Sequence, residues 1–501
     1  MLTVNRESNT YLSKSLFIKG LQCHKSLYLH KCHPELKDEI TEAQEARFQM
    51  GFDVGTYARK LFPGGVEIVF DDASLSAQID KTEKEIRRGT RILYEPAFTY
   101  DDIFVKADIL CKNEEGWEIY EVKGSLKVKD VHYDDVAVQY YALKGSGLPV
   151  SKAFIIHINS GYVRHGEIEV DKLFTITDVT NAVIEKQDYV RDEIERMREM
   201  LGRDIPDIDI GSHCSDPYEC DFQGHCWQHI PEDSIFSLRG GGIDKFDFYR
   251  KGIIRLRDVP VEILPKNQRI QWEGVIERKS VTNKTGIKEF LDSLWYPQCF
   301  LDFETIFMSP IPLFDGTRPY QQVPFQYSLH CLKEEKGKLA HYEYLGAANI
   351  DPRKELLEKL LSEIPKHVCV LVYNRSFETK ILKEFKGWFP EYADQIENII
   401  GNIRDLMIPF QRKDLYRPEM EGSYSIKKVL PALTPELSYD GLEVSDGATA
   451  SNAYLATWES EDPAGVERIR KALLEYCKMD TIGMVRILEE LREVCFRELN
   501  I

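Results

Sequence analysis

Two carboxylates, Asp302 and Glu304, sit one residue apart in the mostly apolar run FLDFETIF, residues 300–307. On a strand, residues i and i+2 point to the same face. Ionised carboxylates lose their hydration on a buried strand, so something positive must offset them. A divalent cation is a common answer. The alternative is an edge strand whose polar face meets water. Two further acids bear on the choice. Glu378 follows a buried run at the strand–helix junction of VLVYNRSFETKIL, where Asn374, Phe377 and Glu378 read N-x-x-F-acid. Asp480 lies four residues after Tyr476 on the periodic helix VERIRKALLEYCKMDTIGMVRILEELREV, so the two share a face. Asp302, Glu304, Glu378 and Asp480 together suit two cations about 3.5–4 Å apart, the arrangement that hydrolyses phosphodiesters. A phenol one turn from the last acid, Tyr476, can orient the water. Asp405 is a spare acid nearby in sequence.

The first half carries a second constellation. Asp108 ends one β-type run, and Glu121 and Lys123 share a face of the next. An acid pair on adjacent strands can hold Mg2+ or Mn2+, and a lysine beside it can orient water or offset phosphate charge. The bland reading is a surface Glu–Lys pair on an amphipathic strand. Further on, HCSDPYECDFQGHCW concentrates Cys214, Cys220 and Cys226 in a polar loop. Thiolates at such spacing bind zinc or an iron–sulfur cluster. A fourth ligand must come from elsewhere: Cys23 is the first choice, and His213, His225 or His229 would make a zinc site instead.

Cys23, Asp108, the Glu121-Val-Lys123 triplet, Gln139 and the cysteine triplet resemble the RecB-type PD-(D/E)xK nucleases. The similar branch is the iron–sulfur group that includes the CRISPR-adaptation exonucleases and AddB. The resemblance covers residues 10–230. It implies that Cys23, Cys214, Cys220 and Cys226 hold a 4Fe-4S cluster, with Zn2+ the alternative, and that Asp108, Glu121, Lys123 and Gln139 form the active centre. The segment MGFDVGTYARK has no histidine where that family carries a metal-binding one. Residues 298–495 resemble the DnaQ-like RNase H-fold exonucleases, in the subclass whose third motif carries tyrosine (DEDDy). Glu378 stands where that family's second motif ends in Asp. The whole chain is similar to bacterial fusions of these two domains.

The resemblances imply a metal-dependent nuclease, a DNA exonuclease with two centres. One alternative is a nucleic-acid-binding module with one or both centres inactive, working with a partner helicase or nuclease; the absent histidine and Glu378 favour it. A further alternative is a 3'-5' exoribonuclease that processes RNA.

The elements that must position these residues read as α/β. TRILYEPAFTY, DIFVKADIL and GWEIYEVKG are β-type runs, followed by a helix over VHYDDVAVQYYALKGSG and the strand KAFIIHIN. TDVTNAVIEKQDYVRDEIERMREML reads as one long helix capped by Thr177 or Asp178. Residues 231–297 read as a mainly helical, locally basic connector. FLDFETIF and the two β-runs after it suit an antiparallel meander, with strands and helices alternating beyond.

Composition sets the outer bounds. The 501 residues suggest two or more domains. A net charge of −18 argues against indiscriminate nucleic-acid binding through bulk charge, while leaving room for a local basic groove. Eleven cysteines without a secretion signal do not read as a disulfide framework. No apolar run approaches a membrane span and residues 1–15 lack an apolar leader, so a cytoplasmic chain is expected.

Overall fold

The structure is a computed structural model that describes residues 11–69, 74–307 and 309–496. Residues 1–10, which include most of the stretch read for a leader and the first residue of the first expected domain, lie outside the described residues. The fold is mixed α/β. The chain forms two compact units: one runs up to His229 and adds Ser309–Tyr320, and the other holds the rest.

The first unit is built on a mixed sheet. After the short strand Val66–Glu67 its order is β1 (Ile92–Tyr94), β2 (Ile109–Lys112), β3 (Trp117–Lys123), β4 (Val150–Ile158) and β5 (Phe174–Asp178). Strands β2 and β3 form an antiparallel hairpin, whereas β3 and β4 are parallel. A parallel pair needs a crossover, and helix α2 (Asp130–Gly145) supplies it; α1 (Lys14–Gln22) precedes the sheet. Val136, Ala137, Val138 and Leu143 of α2 are fully buried in the core that also takes Phe17 of α1 and Ile119 of β3. The β-runs are shorter than expected. TRILYEPAFTY breaks at Glu95, whose φ of 55° is left-handed, just before Pro96. The one long helix expected from Thr177 starts instead at Thr180, because Phe174–Asp178 pairs with β4 as an edge strand, and it is two helices, Thr180–Glu185 and Gln187–Leu201, parted at Lys186. Asp178 does cap that helix's first amide, accepting from Thr180 N at 2.9 Å.

In the second unit the sheet order is β8 (Ala340–Leu345), β7 (Val323–Leu332), β6 (Gln298–Ile306), β9 (Cys369–Val372) and β10 (Ile403–Asp405). β6, β7 and β8 form the expected antiparallel meander, and β9 and β10 run parallel to β6. The central β6 is packed on both faces. Cys299, Leu301 and Phe303 enter one core, and Phe300 enters another with Met484 and Leu488 of the last helix. Asp302 and Glu304 therefore continue the Phe300 face, towards that helix. Helices α4 (Arg375–Trp388), α5 (Ile426–Leu433) and α6 (Pro463–Phe496) complete the surroundings, and α3 (Arg353–Glu363) precedes β9.

The segment 231–297, expected as a connector, clusters with the second unit. Its apolar residues explain this: Ile287 and Phe290 are buried against Leu406, Phe410 and Leu415. One cysteine pair departs from the expectation of no disulfides. Cys299 and Cys331 face each other across β6 and β7 and are joined, while the other nine cysteines form no disulfide.

Candidate active sites

The hairpin β2–β3 assembles the first site. Its turn is closed by Asn113, whose Oδ1 accepts from the amides of Glu115 and Gly116, each at 2.8 Å. Register places Ile109 opposite Tyr120, which brings Asp108 alongside Glu121. Val122 N donates to Asp108 Oδ2 at 2.6 Å. Lys14 Nζ donates to both oxygens of Glu121, at 2.8 and 3.1 Å, and Lys123 Nζ donates to Oε1 at 2.8 Å. Gln139 Nε2, on the crossover helix, donates to Glu121 Oε2 at 2.6 Å. Lys123 also donates to Asp135 at 2.5 Å. The structure thus brings together Asp108, Glu121, Lys123 and Gln139, and adds Lys14 and Asp135.

Charge in this site is closely balanced. Burial opposes ionisation of Glu121, but Lys123 and Lys14 outweigh it and hold the carboxyl well below its ordinary range. Burial and the charge on Glu121 push Asp108 up to about 7. Lys123 is kept protonated: burial opposes its charge, and Glu121 and Asp135 overcome that. Gln139 Oε1 is buried with no hydrogen-bond partner.

Cys23, at the end of α1, and Cys214, Cys220 and Cys226 line one cavity, so the four thiols converge. His213 lines it too; His225 and His229 are not among its lining residues. Burial raises the Cys23 thiol, against the backbone amides of Ser26 and Lys25 that favour its thiolate. Among the described residues, no three of these sulfurs lie within 4.8 Å of one another. A tetrahedral zinc–thiolate site would hold them roughly 3.8 Å apart.

The second site lies where β6, α4 and α6 meet. Burial and the neighbouring Asp480 push Asp302 well above the usual carboxylate range. Burial, then Asp302 and Asp480, do the same for Glu304. Glu378, in the first turn of α4, is raised by burial and then by Asp302. Burial pushes Asp480 up to about 6, against Tyr439 and Lys427. These mutual effects place the four expected acids in one electrostatic cluster. Ligand atoms of Asp302, Glu304 and Cys477 lie within 4.8 Å of one another. Glu378 Oε2 is buried without a hydrogen-bond partner. Such a concentration of acids is costly unless a cation joins it.

Three residues of this site escaped the sequence. Tyr439 OH donates to Asp480 Oδ1 at 2.6 Å, a second phenol at this acid besides the expected Tyr476. Tyr476 is buried beside it, the two rings 6.3 Å apart, and burial and Asp480 keep its phenol protonated. Lys427 lies 5.8 Å from the Tyr439 ring and 5.4 Å from that of Tyr476, and acts on Asp302, Glu304 and Asp480. Cys477 is buried, and Asp302 and Glu304 add to burial in holding its thiol protonated; it donates to Asp302 Oδ2 at 3.6 Å. Its position next to Tyr476 in the helix was the available signal for it. The spare acid Asp405 is committed elsewhere: it accepts from the amides of Asn374, Arg375 and Met407 at 3.0–3.1 Å, tying β10 to the start of α4.

Among the described residues, no helix is long and apolar enough to cross a membrane. A family model described as a domain of unknown function (DUF2779) matches residues 299–425. The uncharacterized protein UU173 of Ureaplasma parvum serovar 3 is 30% identical over 169 residues, which cover 30% of this chain and 24% of that protein. The alignment therefore spans about a quarter of the relative's length. Asp302, Glu304 and Glu378 lie inside the segment matched by the family model, and Tyr476 and Asp480 lie beyond it.

Proposed function

We propose that the chain is a metal-dependent nuclease, a DNA exonuclease, with an RNase H-like centre in the second unit and a PD-(D/E)xK centre in the first. The observation that carries this reading is the convergence of Asp302, Glu304, Glu378 and Asp480, each raised by burial and three of them also by the others' charge. The order β8-β7-β6-β9-β10, a meander followed by two parallel strands, supports the RNase H-like assignment. The hairpin that joins Asp108 to Glu121, with its parallel neighbour β4, supports the other.

Mg2+ or Mn2+ fits both donor sets, and when bound it supplies Lewis-acid stabilisation of phosphoryl charge and activation of water. The second set is one of hard oxygens, which suits those ions. Cys477 keeps its proton and braces Asp302. Tyr439 fixes the Asp480 carboxylate. Tyr476, held protonated, offers a donor to the water or a phosphate oxygen. In the first centre Asp108 and Glu121 would hold the cation, Gln139 orients Glu121, and the ammonium of Lys123, held beside Glu121, would offset charge on the scissile phosphate. The four thiols line one cavity and offer the soft donor set of a 4Fe-4S cluster, with zinc the alternative.

A second reading, a nucleic-acid-binding module whose first centre is inactive, is favoured by one observation. Glu121 is already neutralised by Lys14 and Lys123. Alanine at Asp302 and at Glu121, singly and together, decides between them. The nuclease reading expects each single variant to lose part of the Mg2+- or Mn2+-dependent cleavage and the double variant to lose all of it. A Glu121→Ala variant as active as wild type would leave the first centre as a binding site. A double variant that still cleaves DNA and RNA at the wild-type rate would overturn the reading.

A further inference from the structure

Two cavities in the second unit, of about 870 and 760 Å3, share Asn374, Met407 and Gln411 and so form one continuous groove. Arg239, Lys266 and Lys413 line one end, and Arg375, Lys380 and Lys383 line the other. Among the described residues none of these six cations pairs with a carboxylate. Lys380 and Lys413 donate to neutral oxygens of Gln322 and Gly422, at 2.8 Å each, and Arg239 donates to the Glu421 carbonyl at 3.2 Å. Two acids, Glu384 and Asp405, also line the second cavity, and Lys413 is 4% exposed, so in a chain with 83 acids and 65 Lys and Arg the groove carries a local excess of cations, six against two. The first cavity also offers aromatic surface. Tyr424 is 41% exposed and lies beside Tyr373, whose OH donates to the Tyr424 carbonyl at 2.9 Å. Near Arg239, Gln268 is 1% exposed and its Oε1 has no hydrogen-bond partner, an acceptor left for a ligand's donor.

The groove runs against the acid cluster from two sides. α4 places Arg375 in the groove and Glu378 in the cluster, and α5 places Ile426 in the groove and Lys427 in the cluster. Cations along a groove that also presents an exposed aromatic suit a strand whose phosphates are bound and whose bases stack. We propose that this groove is a track for single-stranded nucleic acid, and that segment 231–297, through Arg239 and Lys266, extends the footprint beyond the reacting phosphodiester. What happens to the strand rests on the nuclease reading; its binding does not.

The test uses the full chain with Arg239→Glu and Lys266→Glu combined, and Tyr424→Ala separately. Binding of fluorescein-labelled oligothymidylate is followed by anisotropy in EDTA across a salt series. Cleavage is followed in Mn2+ on thymidine 5'-(p-nitrophenyl) phosphate, too small to reach the track. The charge reversal is expected to weaken oligothymidylate binding roughly ten-fold and to flatten the slope of log affinity against log salt by about 1.4, from two lost phosphate contacts. Tyr424→Ala is expected to weaken binding roughly ten-fold with the slope unchanged. Hydrolysis of the small ester should stay at the wild-type rate in both. Wild-type affinity and slope in the charge-reversed protein, with an unchanged melting temperature, would overturn the track. So would a duplex that binds as tightly as the single strand and loses as much on substitution. A wild-type protein that binds the strand with the expected dependence but cleaves neither substrate would overturn the nuclease reading and leave the track standing.

Discussion

At the scale of single residues, the second site is defined by what is missing around its acids. Burial raises Asp302, Glu304, Glu378 and Asp480, so each favours its proton in the folded chain. The unfolded chain releases those protons at ordinary carboxylate pKa values, near 4. Between the two, the folded state holds more protons, so metal-free stability falls as pH rises. For Asp480 the window runs from about 4 up through about 6, and Asp302, Glu304 and Glu378, all raised, add to the fall with the same sign. The melting temperature of the EDTA-treated protein is therefore expected to drop by several degrees between about pH 5 and pH 8. Mn2+ should restore it at the higher pH. Asp302→Asn removes one charge at constant shape, so it should melt higher than wild type in EDTA and gain less from Mn2+, a trade of stability against function. Calorimetry on both proteins at the two pH values checks this. A wild-type midpoint that climbs with pH, or an Asn variant that melts lower in EDTA, would remove the argument.

At the scale of elements, what the sequence shows clearly is local. The alternation in FLDFETIF places Asp302 and Glu304 on one face because a strand fixes that period, and the β6–β7–β8 meander follows from three β-runs in succession. The N-x-x-F-acid junction puts Glu378 in the first turn of α4. What stays hidden is non-local or irregular. Lys14 lies 107 residues before Glu121, and Tyr439 lies in a segment with no periodicity to mark it. Asp405 reads as a spare acid because nothing local shows that three backbone amides claim it. Turns decide the rest. Gly116 closes the hairpin that joins Asp108 to Glu121, with φ at 154°, and a Cβ there would meet the Pro149 carbonyl oxygen at 2.3 Å. Because that neighbour is backbone, the clash is not relieved by a rotamer. Gly116→Ala is expected to cost about 3 kcal/mol. Urea unfolding monitored on the first unit checks this; a cost under about 0.5 kcal/mol, the level of an indifferent surface change, would mean that the turn tolerates a side chain.

For the whole molecule, the cysteines carry a long-range connection within one unit. Cys23 ends α1, whereas Cys214, Cys220 and Cys226 follow the last long helix of the first unit, so their common cavity joins segments about 190 residues apart in sequence (214 − 23 = 191). An inorganic cluster on these thiols would close a loop of that length. By the loop-entropy argument used for cross-links, such a closure stabilises by about 5 kcal/mol at most. The stabilisation would fall on the first unit, which contains all four thiols. Cys214→Ser is therefore expected to bleach the brown colour of an iron–sulfur protein and to lower the unfolding midpoint of that unit. Cleavage by the Asp302 centre, assayed below that midpoint, should persist. A colourless wild-type protein carrying one zinc per chain would sink the cluster and leave the four thiols as a zinc site.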